Sequence, residues 1–306
     1  MFNSTTRAPL WALGALVATA VTASGAIAQE LSPPPAPSAE KQKMIDLGVE
    51  HKTARGLYDY FKQQAKGGTP LTWRTVPDWT GIWTREASPF FWDPDQTSMT
   101  QLPTAKMTPK YKQMLLDKLG RVSKGVEFDQ LSNCEPAGMP RWLVEPFLRE
   151  HVVTPTETLL ITEQQNEIRR VYTDGRDHPS PEDAYPLWEG DSIGFWDGDR
   201  LVIHTTQMRA GQYQRIQPFY SDQVETVEIW HLQDPTTMAV DIWSYDPPAL
   251  AEPWYTRQTY KRLSNDDKSL RIRYWDCNEN QNNTVTETKE GSSTFQDFTF
   301  TKQDDK

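Results

Sequence analysis

Tyr172, Asp174, Arg176 and His178 crowd one short stretch of the chain at alternate positions. These residue types move protons and hold negative charge. Asp or His can act as general base, Tyr or Arg can stabilise an oxyanion, and Arg can fix a carboxylate or phenolate. The same stretch also reads as a plain salt-bridged turn, in which Arg170, Arg176 and Asp174 tie down the loop that follows. Further along, His204 stands in a run that is apolar on both faces, where a histidine is often a satisfied core residue. Asp191 is its candidate partner, because a carboxylate orients an imidazole and fixes its tautomer. His204, Tyr172, Asp174, Arg176, His178 and Asp191 are therefore the candidate catalytic set.

Other chemistries fit less well. Gly190-Asp191-Ser192-Ile193-Gly194 matches the G-x-S-x-G of a nucleophile elbow, which needs a strand, a sharp turn and a helix. Here the motif runs into Phe195-Trp196-Asp197-Gly198, a hairpin, so its glycines read as close packing in a strand. The chain has no H-E-x-x-H and no close histidine pair. No metal site is expected, although His178, His204 and Asp191 could still meet in space. Gly190 to Gly198 lie in a hairpin and not at a helix start, so no nucleotide or flavin cofactor is expected. His51 and His231 read as solvated or structural, and His151 could face either way. Trp142, Trp188, Trp196, Trp243, Trp254 and Trp275 are candidate pocket walls among 12 tryptophans. Arg141, Arg170, Trp188, Trp196 and Trp243 make up the candidate ligand-binding set.

The elements that must position these residues read as β. The stretch 158–206 holds the densest strand and turn signals and is expected to form the wall and rim of a barrel pocket. Runs 159–163 and 168–173 are rich in β-formers around a polar connection. A turn at Gln165-Asn166 would set Leu159 opposite Tyr172 and Ile161 opposite Arg170. A second hairpin, 192–196 and 199–206, turns at Asp197-Gly198, a strong hairpin signal. That turn predicts Ile193 opposite Val202 and Asp191 opposite His204, and a one-residue slip would move His204 to the other face. Further runs at 142–148, 151–154, 224–232, 238–245, 255–263, 270–277 and 293–301 bring the total to roughly ten strands. Short turns between them argue an antiparallel barrel or sandwich. Helical spacing appears over 40–66, ended by Gly67-Gly68, and over 107–124. The tail 302–306 is polar.

The start of the chain reads as an export signal, with Arg7, an apolar run over 9–21 and Ala26-Ile27-Ala28 as the cleavage site. The apolar run is too short for a transmembrane helix. The expected organisation is a signal peptide over 1–28, a Pro-rich linker over 29–39, a helical extension over 40–76 and a β-barrel domain over 77–306. The expected location is periplasmic or secreted. A net charge of −10 with no basic stripe argues against nucleic acid as a partner. Cys134 and Cys277 read as a disulfide in an exported chain, with a catalytic thiol as the rival reading.

Several segments together resemble one family. They are Cys134-x-Pro136-x-Gly138-x-Pro140-Arg141, Arg169-Arg170-x-Tyr172-Thr173-Asp174-Gly175-Arg176-x-His178-Pro179, Trp188-x-Gly190-x-Ser192-Ile193-Gly194-x-Trp196-x-Gly198-Asp199 and Cys277-x-Glu279-Asn280. Over about residues 77–280 the chain resembles a largely uncharacterised family of exported bacterial proteins with a lipocalin-like (calycin-type) β-barrel. Gly81-x-Trp83 is similar to the lipocalin-type signature, whose Trp closes the barrel floor. Both cysteines belong to the family pattern, which implies the disulfide. Where the pattern often has a histidine in segment 221–222, this chain offers Glu225. The expected fold class is thus mostly β: an antiparallel lipocalin-like β-barrel of roughly ten strands with an N-terminal helical extension.

The function expected from the residues is cofactor-independent acid–base chemistry by an exported enzyme: a lyase, isomerase or hydratase step on a small apolar, aromatic or phenolic compound such as a lignin-derived dimer. His204, oriented by Asp191, would be the acid or base. Tyr172 and Arg176 would hold developing negative charge, and His178 would be a second proton carrier. The alternatives are a non-catalytic periplasmic carrier of hydrophobic ligands and an envelope scaffold docking a partner through 40–66. The sequence leaves room for a homodimer.

Overall fold

The computed structural model describes residues 31–88, 90–124, 129–180, 182–263, 270–275, 277, 285–287 and 293–295. The expected signal segment 1–28 and the tail 302–306 lie outside them. The chain forms α1 (Ala39–His51), α2 (Ala54–Gln64), β1 (Ile82–Arg85), α3 (Pro109–Val122), β2 (Arg149–Val153), β3 (Glu157–Thr162), β4 (Ile168–Tyr172), β5 (Asp191–Asp197) and β6 (Arg200–Thr206). There follow β7 (Gly211–Gln212), β8 (Phe219–Tyr220), β9 (Glu225–Asp234), β10 (Thr237–Tyr245), β11 (Trp254–Arg262), β12 (Val285–Glu287) and β13 (Ser293–Phe295). Among the described residues, nine strands close a barrel in the order β1-β11-β10-β9-β6-β5-β4-β3-β2, while β7-β8 and β12-β13 are separate pairs. The barrel is as expected, but its strands number nine, and they are not all antiparallel, because β4 and β5 run side by side in parallel.

The other departures are local. The helical stretch 40–66 is two helices, because Lys52 takes a left-handed φ of 60° and Thr53 caps the next helix, its Oγ1 accepting from Gly56 N. The run 142–148 begins inside a 3-10 turn, Arg141–Leu143, so Trp142 is not on a strand. The described part of 270–277 carries no strand. Both hairpins pair two residues away from the expected register. Leu159 faces Arg170 and Ile161 faces Ile168. Ile193 faces His204 and Asp191 faces Thr206, because the turn residues are Gly198 and Asp199. Gly198 takes a φ of 64°, which glycine adopts without strain. A slip of two leaves every side chain on its expected face; a slip of one would not.

The two faces of the sheet are covered differently. Inside, Trp79, Trp83, Trp142, Trp196, Trp230 and Tyr260 join Leu160, Val171, Leu201 and Ile203 in one buried cluster. Trp83 joins it from the first barrel strand, with its Nε1 donating to Trp79 O and the Arg262 guanidinium 4.7 Å above its ring. Outside, α2 lays Leu57 and Tyr58 on Ile193, Phe195, Val202, Val227 and Ile229. The α1 helix docks on β10, where Trp243 Nε1 donates to Met44 O and Tyr245 donates to Gly48 O. A Cβ at Gly48 would lie 2.7 Å from the Trp243 ring, so glycine permits this close approach. The N-terminal helices therefore pack on the outer wall and do not plug an end.

The barrel interior also holds a charged pair with no exposure. Arg169 donates to both oxygens of Glu228, at 2.8 and 2.7 Å, and to Ser192 and Thr205. Thr226 and Trp230 donate to the same carboxylate. Buried charge is tolerated when partners satisfy it this fully. Cys134 and Cys277 form a disulfide across 143 residues. Beside it, Asn166 exchanges two hydrogen bonds with the Trp275 backbone, at 2.9 Å each. No helix among the described residues is long and apolar enough to cross a membrane.

Candidate proton-relay site

Alternation along a strand sends successive side chains to opposite faces. On β6, Leu201, Ile203 and Thr205 face inward, so Val202 and His204 face the helices. On β5, Asp191, Ile193 and Phe195 face the same outer side. His204 thus lies on the outside of the barrel wall, under α2, with its ring 5.6 Å from that of Tyr58. This differs from the expected barrel pocket and follows from strand parity alone.

The register sets Asp191 diagonal to His204, and the gap between them is filled by His178. After β4 the chain turns at Asp174-Gly175, and Asp177 ties it to the helix. Arg55 of α2 donates to both Asp177 oxygens, at 2.7 and 3.3 Å, and Asp177 also accepts from His178 N at 2.9 Å. These donors, Arg55 first, hold the Asp177 carboxyl down at about 2. Thus anchored, His178 places Nδ1 2.5 Å from Asp191 Oδ1 and Nε2 2.8 Å from His204 Nδ1. His204 Nε2 in turn lies 3.2 Å from Glu225 Oε2, on the outer face of β9. Burial deepens toward the middle of the chain: the side chains of His178 and His204 are 11% and 4% exposed, against 17% for Asp191 and 36% for Glu225.

Counting protons shows what this row can do. A carboxylate only accepts, so Asp191 takes the Nδ1 proton of His178. Neutral His178 then offers Nε2 as an acceptor, and His204 must donate from Nδ1. A neutral His204 would then face the Glu225 carboxylate with a bare Nε2, two acceptors opposed. All three links are made only when the four groups hold one proton more than two neutral imidazoles supply. That proton can sit on either imidazole, so the arrangement can hold one proton between two carboxylates that reach the surface.

The other expected residues lie elsewhere. Tyr172, Asp174 and Arg176 form their own surface cluster: Arg176 donates to both Asp174 oxygens and stacks 4.1 Å over the Tyr172 ring. Arg176 holds the Asp174 carboxyl below its usual range. The structure thus separates these three from His204; Arg176 and Asp174 form the salt bridge of the expected turn, without Arg170. Asp191 partners His204 only through His178. Arg141 is buried in ion pairs with Asp129 and Glu145. Arg170 pairs with Glu157 at the surface. Trp188 lies under Arg209, and Trp243 is held beneath α1 on the outer wall. Trp196 is in the interior cluster, against Trp79 at 5.1 Å. Ser192 bonds Thr205 and Arg169 on the inner face, away from both histidines, so it has no imidazole to activate it.

Three contributors, Glu225, Arg55 and Tyr58, stood outside the candidate set. Glu225 shares a face with Val227 and Ile229 on a strand that pairs with β6, so parity and pairing together could have placed it beside His204. The Arg55 and Tyr58 contacts depend on how α2 packs, which no local signal carries. No protein-family model and no curated protein matches the chain.

Proposed function

We propose that the protein is an exported, cofactor-independent acid–base enzyme whose proton carrier is the Asp191–His178–His204–Glu225 row. The disulfide fits an oxidising compartment. The substrate class that suits its chemistry is a small aromatic or phenolic compound undergoing elimination, isomerisation or hydration, since each such step takes a proton from one atom and returns it to another. Membership of the lipocalin-like exported family belongs to the same proposal, supported by Trp83 on the first barrel strand and by the paired cysteines.

The observation that carries the reading is the unbroken hydrogen-bond row with two imidazoles in series. General acid–base catalysis contributes roughly a hundredfold to ten-thousandfold. The test is incubation of the mature protein with phenolic ether dimers in deuterated water, followed by mass spectrometry. Conversion with solvent deuterium in the product, reduced at least about a hundredfold in both His178→Gln and His204→Gln, supports the proposal. Conversion that survives both substitutions removes the row from catalysis.

A second reading is a non-catalytic binding protein. It draws on one observation: Tyr172 and Arg176, the expected oxyanion stabilisers, are engaged with each other and with Asp174. In that case a dimer that binds comes back unaltered.

A further inference from the structure

Residues 137–139 are held against the chain just before β4 and β5 by three consecutive backbone N–H groups. Ala137 N and Gly138 N donate to the two carboxyl oxygens of Glu167, at 2.5 and 3.3 Å, and Met139 N donates to Trp188 O at 2.8 Å. The fit is close: a Cβ at Gly138 would lie 2.7 Å from the Trp188 carbonyl oxygen, and Gly138 takes a φ of 63°. The residue after Trp188 is Glu189. As a whole it is half-buried, yet neither of its carboxyl oxygens reaches solvent or meets a donor among the described residues. What lies within hydrogen-bond reach is the carboxyl of Glu167. An ionised carboxylate only accepts, so two of them cannot bond each other; the link needs one proton.

We propose that a proton held on Glu189 latches segment 137–139 to the barrel, and that the latch opens in alkali. Two N–H donors favour the ionised form of Glu167, and Glu189 has none, so Glu189 is the acid of the pair. Burial, and then Glu167 beside it, push the Glu189 pKa well above the carboxylate range. The surrounding groups do not cancel this. Arg169 of β4 opposes the shift, but its nitrogens already donate to Glu228, Ser192 and Thr205. Arg149 of β2 acts on Glu167 and donates to three carbonyls. Burial pushes the pKa of Tyr220 on β8 up and keeps it neutral, and Arg141 beyond it pairs with Asp129 and Glu145. Loss of the proton sets two buried negative charges side by side. Glu167 keeps its two donors, so Glu189 gives way, and the adjoining Trp188 carbonyl loosens its hold on Met139. The inference does not rest on the relay.

Urea unfolding of the protein and of Glu189→Gln tests it. The folded chain keeps a proton that the unfolded chain sheds above about pH 4.3, so the contribution of Glu189 to stability falls as pH rises. A glutamine donates to Glu167 at any pH and lacks that loss. From about pH 5 to about pH 7 the folding equilibrium constant of the variant gains on that of the unaltered protein about tenfold per pH unit. Amide exchange at Ala137, Gly138 and Met139 matches in the two proteins at about pH 5 and is about tenfold faster in the unaltered one at about pH 9; comparing them at one pH removes the intrinsic pH dependence. Carbon-13 NMR of the glutamate carboxyls needs no variant: in the unaltered protein one of them is still the acid at about pH 7. Full ionisation of every glutamate there, a variant whose advantage does not change with pH, or equal exchange in alkali overturns the proposal. Stabilisation of the unaltered protein, and not of the variant, by calcium ion would put a cation between the carboxylates in place of the proton and overturns it as well.

Discussion

His178 and His151 are both shielded from water, and what touches each gives it the opposite chemistry. His178 has a carboxylate on one nitrogen and an imidazole on the other. His151 faces the barrel interior among Trp79, Trp83 and Trp230, with ring separations of 6.2, 6.2 and 5.6 Å, and neither of its nitrogens has a partner. Burial pushes its pKa down to about 3. The unfolded chain therefore takes a proton near pH ~6.5 that the fold refuses, and stability falls as pH drops from there toward the folded value. From about pH 7 to about pH 5 the loss from this group is ~2 kcal/mol. Urea unfolding of His151→Phe is expected to lack that part of the acid dependence; an unchanged acid profile would show that His151 is not buried neutral. Arg169 and Glu228 make a second residue-scale prediction. Glu228→Gln leaves a buried guanidinium short of its counter-charge and is expected to cost ~3–5 kcal/mol, again by urea unfolding. A loss under ~1 kcal/mol would mean that water reaches the pair. At this scale the sequence was partly legible. His178, His204 and Asp191 were all readable as chemistry-bearing, but the link through His178 was not, because it stands 13 positions before Asp191 in a loop whose path no local signal fixes.

The α2 helix and the 173–190 loop form one working unit at the scale of elements. Tyr58 roofs His204, and Arg55 holds Asp177, the residue next to His178. The Arg55–Asp177 pair is half-exposed, so it adds no more than ~1 kcal/mol to global stability. Its role is positional. Arg55→Gln is expected to leave the unfolding midpoint nearly unchanged while amide exchange at 176–180 speeds up; equal protection there would show that the loop is fixed without α2. Strand alternation was legible throughout, which is why both hairpins were found with each side chain on its proper face. Register was not, because an Asp-Gly dipeptide does not say which of its residues begins the turn. Here Asp197 pairs with Arg200 and the turn starts one residue later. The break at Lys52 lacked a glycine or proline to announce it, and the cap at Thr53 was its one local trace. The parallel β4–β5 contact had no local signature, since it depends on where the long loop returns.

Across the whole molecule, the barrel interior is filled by indole rings and a closed ion-pair network, and the chemistry-bearing histidines lie outside the wall. The tryptophan-rich composition was legible as aromatic walls, yet most of those rings serve as core. The cysteine pair was legible from its number and compartment, and it fixes Cys277 to a point 143 residues earlier in the chain. What the barrel supplies to the proposed chemistry is rigidity: three strands set Asp191, His204 and Glu225, and only His178 comes from a loop. The central claim is that these four share one extra proton. Nitrogen-15 NMR of histidine-labelled protein measures it most directly, with Glu225→Gln as the comparison. The account predicts that His178 is protonated at Nδ1, that the pair of imidazoles carries a single positive charge, and that Glu225→Gln shifts the His178 nitrogens although the two residues do not touch. Two neutral imidazoles, with His178 indifferent to Glu225→Gln, would contradict it.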